Sequence, residues 1–258
     1  MIFHHKLENW ENKNKDSIFP EPVLWCIFES IALAGLIMER GAYENPSPRW
    51  SPIKHLDIKP ENLLFGDYPS QDGHTRNFAM YPTVKLADFG LSLDGWKHAI
   101  DSKYGLRGTP GFLAPEQHDT GADRPAYNAK TDVWGTGATI LSFMNLHSKA
   151  SEIDFSEPAK DESDPALVPE FRVVAEERYS KPLRDLVQRC VQYRPADRPS
   201  FHDLLIEIRR HTGMGDQGAI DHAQGARFAK RDAIPEGLTE MPGLIREKEY
   251  TIGMAMPA

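Results

Sequence analysis

From Val133 to Leu146 the chain runs fourteen residues without a charge. A helix that is apolar on every side needs other elements around it. The stretch therefore predicts a central helix, and the rest of the chain has to supply its cover. Pro22–Met38 is a second such element, seventeen residues interrupted only by Glu29. Leu24, Ile27, Phe28 and Ile31 fall at helical spacing, while Val23, Trp25, Leu33, Leu36 and Ile37 extend the apolar surface round the other sides. The run falls short of the ~20 residues a spanning helix needs, so it reads as a buried core helix. Pro22 suits its first turn and Gly41 its end.

Two amphipathic stripes complete the helical set. Leu183, Leu186, Val187, Cys190 and Val191 form one, and Phe201, Leu204, Leu205 and Ile208 form the other. Ser200 and Asp203 have the spacing of a capping pair at the start of the last helix. Leu63–Phe65 and Thr83–Ala87 read as two short strands around a long polar connection, Gly66–Pro82. The expected fold class is mainly α with a small β-hairpin. Ala42–Pro52 carries three prolines and reads as a loop, with Trp50 placed to pin it to the body. Residues 151–164 hold six carboxylates against one lysine and read as a solvated loop. Residues 1–20 form a polar N-terminal segment. Beyond His211 the apolar pattern dissolves, and 213–258 reads as a disordered tail.

A net charge of −8 argues against a general nucleic-acid binder, because phosphate contacts need clustered Lys and Arg. The two cysteines, Cys26 and Cys190, both lie in apolar helical patterns and read as reduced, buried thiols. With no apolar leader and no spanning helix, the expectation is an intracellular protein, cytoplasmic or nuclear, without a membrane partner.

The chemistry is concentrated in His55-Leu56-Asp57-Ile58-Lys59-Pro60-Glu61-Asn62-Leu63-Leu64-Phe65. Asp57 can accept a proton from a hydroxyl, Lys59 can steady a phosphoryl oxygen, and the Asn62 amide oxygen suits a hard cation. The apolar run that follows suits a buried strand, which would hold the polar loop in place. Asp88-Phe89-Gly90 then follows, and after it Ala114-Pro115-Glu116, Asp132-Val133-Trp134-Gly135 and Arg198.

In that order these residues resemble the eukaryotic protein kinase family, closest to its Ser/Thr branch, over roughly residues 21–212. The resemblance implies a protein-kinase-like C-terminal lobe that transfers a phosphoryl group from ATP, with Mg2+, to Ser/Thr hydroxyls of a protein substrate. It implies that Asp57 is the catalytic base, that Lys59 contacts the transferred phosphate, and that Thr109 bridges the two. Lys59, Glu61, Asn62 and Asp88 are expected at the nucleotide, with Asn62 and Asp88 as the metal ligands. His55, Asp132, Glu116 and Arg198 are expected in structural roles: Glu116 and Arg198 as a buried ion pair, Asp132 as acceptor for the catalytic loop's backbone.

Two features depart from the family's pattern. The family's N-terminal lobe bears a Gly-rich loop, an ATP-contacting Lys and its Glu partner, in roughly eighty residues. Here twenty residues precede Glu21, no glycine occurs before Gly35, and Lys6, Lys13 and Lys15 sit in polar surroundings. Gly105, Gly108 and Gly111 recur every third residue, which is not the phosphate-cradling spacing. The expectation is a C-lobe whose own ATP binding is weak, with an N-lobe either supplied by another chain or missing from the sequence as given. The alternative is a kinase-like binding or scaffold module that no longer transfers phosphate.

The second departure is Leu56, where the family carries an Arg that receives a phosphorylated activation-segment residue. A leucine cannot bind phosphate. Activity, once recovered, should therefore not depend on phosphorylation at Ser92, Ser102 or Tyr104. Replacing all three with non-phosphorylatable residues is expected to leave phosphotransfer unchanged; a large loss with retained folding would show that another cation receives a phosphate there.

Overall fold

The computed structural model describes residues 19, 21–42, 45–46, 48–65, 84–95, 107–118, 126–145, 171 and 173–212. The N-terminal segment up to 18, the connection 66–83, the acidic stretch 151–164 and the tail 213–258 lie outside the described residues, as do Ser102 and Tyr104.

Helix α1 (Glu21–Arg40) opens the core. Its first turn is anchored by Glu21, which accepts hydrogen bonds from Trp25 Nε1 (2.9 Å) and from the Ser180 backbone N–H (2.7 Å). Every residue from Val23 to Leu33 is buried, as an all-round apolar helix requires. Ile37 is the exception to the apolar set, 40% exposed one turn before the end. Glu29, fully buried among apolar neighbours, accepts a 2.8 Å bond from Arg209 Nε. Gly41 ends the helix at φ +80°, with its N–H donated to Ile37 O at 2.7 Å, a left-handed cap that favours glycine. Trp50 returns from the loop to donate its indole N–H to Met38 O at 2.8 Å.

Two short antiparallel ladders follow where one hairpin is expected. Strands β2 (Leu63–Phe65) and β3 (Val84–Leu86) pair in the register Leu63↔Leu86, Leu64↔Lys85, Phe65↔Val84. Strands β1 (Ile53–Lys54) and β4 (Leu93–Asp94) form the second ladder, two residues on each side. A two-residue strand has no alternation to read, which is why the sequence conceals it.

The remaining elements are helical: the single turn α2 (Pro115–His118), α3 (Ala129–Asn145), α4 (Val173–Arg178), α5 (Lys181–Cys190) and α6 (Phe201–Thr212). Helix α3 begins four residues before the expected Val133. Asn128 sets that start: its Oδ1 accepts the Lys130 N–H at 2.7 Å, and its own N–H is donated to Thr131 Oγ1 at 3.2 Å. From Thr131 to Asn145 every residue of α3 is buried. It packs against α1, α5, α4, α6 and β1, so it is the centre of the fold.

Both amphipathic stripes face the core, through Leu183, Leu186, Val187 and Cys190 on α5 and through Phe201, Leu204, Leu205 and Ile208 on α6. Ser200 Oγ accepts the Asp203 N–H at 3.1 Å and donates to Asp203 Oδ2 at 2.6 Å, forming the N-terminal cap of α6. Cys26 and Cys190 are buried thiols not joined in a disulfide, and burial pushes the Cys190 thiol up to about 12. No helix among the described residues is long and apolar enough to cross a membrane.

Helices α1 and α6 meet where Gly35 lies under the ring of Phe201. A Cβ at position 35 would come within 2.4–2.5 Å of that ring, and Phe201 is 1% exposed. Gly35→Ala is therefore expected to destabilise the fold by about 1–3 kcal/mol, measured as a lower midpoint in urea unfolding. A midpoint unchanged or raised, as simple helix propensity would give, would show that the two helices can move apart.

Candidate active site

One face of α3 holds the loop that carries Asp57. Asp132, Gly135 and Thr139 lie at positions i, i+3 and i+7 on that face. Asp132 Oδ2 accepts the His55 N–H and Oδ1 the Leu56 N–H, both at 2.7 Å. A side chain at 135 would press on Ile58 at 3.2 Å, so Gly135 lets the loop lie close. Thr139 Oγ1 donates to Ile58 O at 3.3 Å and to Gly135 O at 2.7 Å. Burial drives the Asp132 carboxyl up to about 7, opposed by the two backbone N–H bonds and by Lys54 nearby.

Leu56 is bent into the left-handed region, φ +66°, and is buried. That conformation costs a branched residue about 1–3 kcal/mol unless its surroundings fix it. Here they do: Asp132 takes the Leu56 N–H, and Gln117 Nε2 donates to its carbonyl at 3.1 Å. The same Gln117 amide donates to Arg107 O at 2.6 Å and accepts the Ala114 N–H at 2.8 Å. Gln117 thus ties the loop to the segment that carries Thr109. Nothing in the sequence singles it out.

The side chains converge beyond that support. Thr109 Oγ1 donates to Asp57 Oδ1 at 2.6 Å and accepts a 2.5 Å bond from Lys59 Nζ. Lys59 Nζ also stands 3.2 Å from Asp57 Oδ2. Asn62 Nδ2 donates to Asp57 O at 2.8 Å and to Asp57 Oδ2 at 3.2 Å, so its amide oxygen is the end left for another ligand. The 3-10 turn Pro60–Asn62 delivers that side chain, and Asn62 O receives the Ala87 N–H at 2.9 Å. Asp88 thereby follows directly after the residue whose N–H is bonded to Asn62. Asp88 is exposed, left-handed at φ +64°, and accepts the Gly90 N–H at 3.2 Å through Oδ1. One carboxylate and one amide oxygen are hard donors of the kind magnesium takes alongside substrate phosphates. Among the described residues no group of three or more His, Cys, Asp or Glu forms a self-sufficient metal cage.

His55 bridges the two halves. Its Nδ1 accepts the Asp57 N–H at 3.3 Å, which leaves Nε2–H to donate to Ala87 O at 3.0 Å. Burial holds its basicity below the ordinary imidazole value, consistent with that neutral form. Phe89 stands edge-on to the ring at 4.8 Å and is 47% exposed. Glu61 joins none of this: its Oε2 is buried with no hydrogen-bond partner among the described residues.

Glu116 and Arg198 form a separate, buried pair. Arg198 spends all five N–H groups: on Glu116 Oε1 (2.7 Å) and Oε2 (2.8 Å), and on the carbonyls of Lys130 (2.9 Å), Gln192 (2.7 Å) and Tyr193 (2.8 Å). Its guanidinium also lies 5.1 Å from the Trp134 ring centroid.

Residues 50–207 match the family described as the protein kinase domain, and the chain belongs to that family. Among curated proteins it is 32% identical over 187 residues to the serine/threonine-protein kinase ULK3 of Mus musculus, covering 70% of this chain and 34% of that protein. It is 29% identical over 170 residues to a calcium/calmodulin-dependent protein kinase kinase of Caenorhabditis elegans, covering 65% of this chain and 27% of that one. The serine/threonine-protein kinase dst2 of Dictyostelium discoideum is 28% identical over 158 residues, covering 59% of this chain and 12% of that one. The chain thus spans about a third or less of the relatives it matches.

The geometry separates support from chemistry, and stability measurements should do the same. Arg198→Met leaves the Glu116 carboxylate buried without its partner and is expected to cost about 3–5 kcal/mol. Asp88→Asn, at an exposed position, should stay within about 0.5 kcal/mol of the parent. Urea unfolding of both variants checks this; equal losses would mean that the pair has no special place in the fold.

Proposed function

We propose that this chain carries the acceptor side of a Ser/Thr-type protein kinase site. The observation that carries the reading is the chain of contacts from Lys59 through Thr109 to Asp57, with Asn62 held against the same carboxylate. Asp57, oriented by Thr109 and Asn62, accepts the proton of a substrate hydroxyl as that oxygen attacks. Lys59 stabilises charge on the phosphoryl group in transit. Asn62 and Asp88 would hold Mg2+, which neutralises phosphate charge when bound. Glu61 is assigned to the nucleotide side by family resemblance alone.

The fold class that goes with this reading is a kinase C-lobe over residues 21–212. Within these 258 residues no glycine-rich segment stands ahead of α1. The groups that cover the nucleotide phosphates would come from elsewhere, an upstream segment or another polypeptide. Phosphoryl transfer depends on positioning and on preorganised charge, and losing even one such donor typically costs ~10²–10³ in rate. This chain by itself should therefore bind ATP weakly or not at all. The scaffold reading would leave the Lys59–Thr109–Asp57 contacts without a purpose.

The test is magnesium-ATP calorimetry beside a labelled-phosphate assay on a basic protein, with Asp57→Asn and Asp88→Asn as controls. The expected result is negligible transfer by the chain alone, and transfer abolished by both substitutions once a glycine-rich lobe is joined upstream. Full turnover by the chain alone would overturn the weak-binding expectation. A joined protein that stays inactive while folded and loaded with nucleotide would overturn the kinase reading.

A further inference from the structure

Lys54 has no part in that chemistry, yet it is 2% exposed in the two-residue strand β1. An ammonium is costly to bury, and an aliphatic side chain would fill the same space without that cost. Its surroundings account for it. Lys54 Nζ donates to the carbonyl of Gly95, one residue past the β1–β4 ladder. Gly95 returns the contact by donating its N–H to Pro52 O at 2.9 Å, from the residue that leads into β1. Burial holds the Lys54 ammonium's proton affinity below the ordinary lysine value, and the charges of Asp132, from α3, and Asp94, from β4, act the other way and favour its charged form.

These partners belong to both halves of the site. Gly95 lies on the segment that leaves Asp88-Phe89-Gly90, and Asp132 is the acceptor that holds His55 and Leu56 just ahead of Asp57. A ladder of two residue pairs is a weak joint by itself. Leu56, Leu93 and Tyr127 cover the same joint with a small apolar cluster of their own, apart from the main core. Leu56 fills its place there as a hydrocarbon; Lys54, two residues earlier, brings a cation to the joint, and Arg107 brings another to the same segment by donating to Leu91 O at 3.2 Å.

We propose that Lys54 is a positioning residue: its ammonium fixes the strand leading to Asp57 against the segment that follows Asp88, using a charge built into the chain rather than one added by modification. Its consequence for phosphotransfer rests on the kinase reading above; the fixing itself does not.

The test compares Lys54→Met, which keeps the length and removes the charge, with Lys54→Arg, which keeps the charge. Amide hydrogen exchange on the whole 258-residue chain reports the joint. In Lys54→Met, exchange at His55, Leu56 and Leu93–Gly95 is expected to rise about tenfold or more while the interior of α3 stays protected. Lys54→Arg should lie closer to the parent than to Lys54→Met. A second readout is the Asp132 carboxyl, followed by carbon NMR against pH. The groups acting on it are the His55 and Leu56 N–H donors, Lys54 and Glu116; without the Lys54 charge its midpoint should move up from about 7.

Parental exchange and an unmoved midpoint in Lys54→Met would overturn the proposal. So would a uniform rise that includes α3, which is general destabilisation, or an arginine variant as loose as the methionine one. If Lys54→Met does not fold, Lys54→Arg decides alone: parental protection at these amides supports the proposal, and its loss ends it. None of these readouts involves nucleotide, so a failure of the kinase reading would leave them standing.

Discussion

Asp132 reaches from the first turn of α3 to take the N–H groups of His55 and Leu56, and through those two bonds the central helix decides where Asp57 can be. The interaction is expensive to maintain. The carboxylate is fully enclosed, its proton affinity is raised by that enclosure, and Leu56 has to adopt a left-handed backbone to present its N–H. What offsets these costs is that the groups around Asp57 have further partners: Gln117 on the Leu56 carbonyl, Thr139 on the Ile58 carbonyl, His55 on both Asp57 and Ala87. A polar network that is fully satisfied in a low-dielectric interior is rigid, and rigidity is what a positioned base needs. The helix that carries Asp132 is in turn the one most thoroughly buried, so the site inherits the stiffness of the core.

The molecule divides its charged pairs by purpose. Glu116–Arg198 is closed: five donors meet five acceptors and the carboxylate is buried. The Asp57–Lys59–Thr109 group is tightly bonded on its inner side and open on its outer side, where Lys59 keeps partial exposure and Asp88 is exposed. Arginine suits the first role because its planar fork can satisfy a carboxylate and several carbonyls at once; lysine suits the second because its single charge can swing toward an incoming oxygen.

Much of this was legible in the residues. The uncharged run around Trp134, the stripes of α5 and α6, the Leu63–Phe65 strand and the Ser200 cap are written in local pattern, because each follows from helical or strand period and cap chemistry. The start of α3 was not, since Asn128 outweighs the charged residues Lys130 and Asp132 that follow it in the first turn. The β1–β4 ladder was hidden by its brevity. Gln117 and Lys54 escaped for a different reason: their partners, Leu56 O and Gly95 O, are backbone atoms distant in sequence, and a backbone carbonyl leaves no mark on the side-chain alphabet. The candidate site was legible as a set of residue types in order, but the bonds that join them were not.

The ring of Phe201 on the bare backbone of Gly35 joins the first and last described helices face to face. A nascent chain emerges with α1 long before α6 exists, so α1 carries its apolar surface through most of synthesis with one side uncovered. Contacts between segments so far apart in sequence close late and slowly, and an incomplete product is the kind of species that aggregates. Truncation anywhere ahead of Phe201 should thus be felt at the opposite end of the polypeptide, where a chaperone would find α1 waiting for its lid.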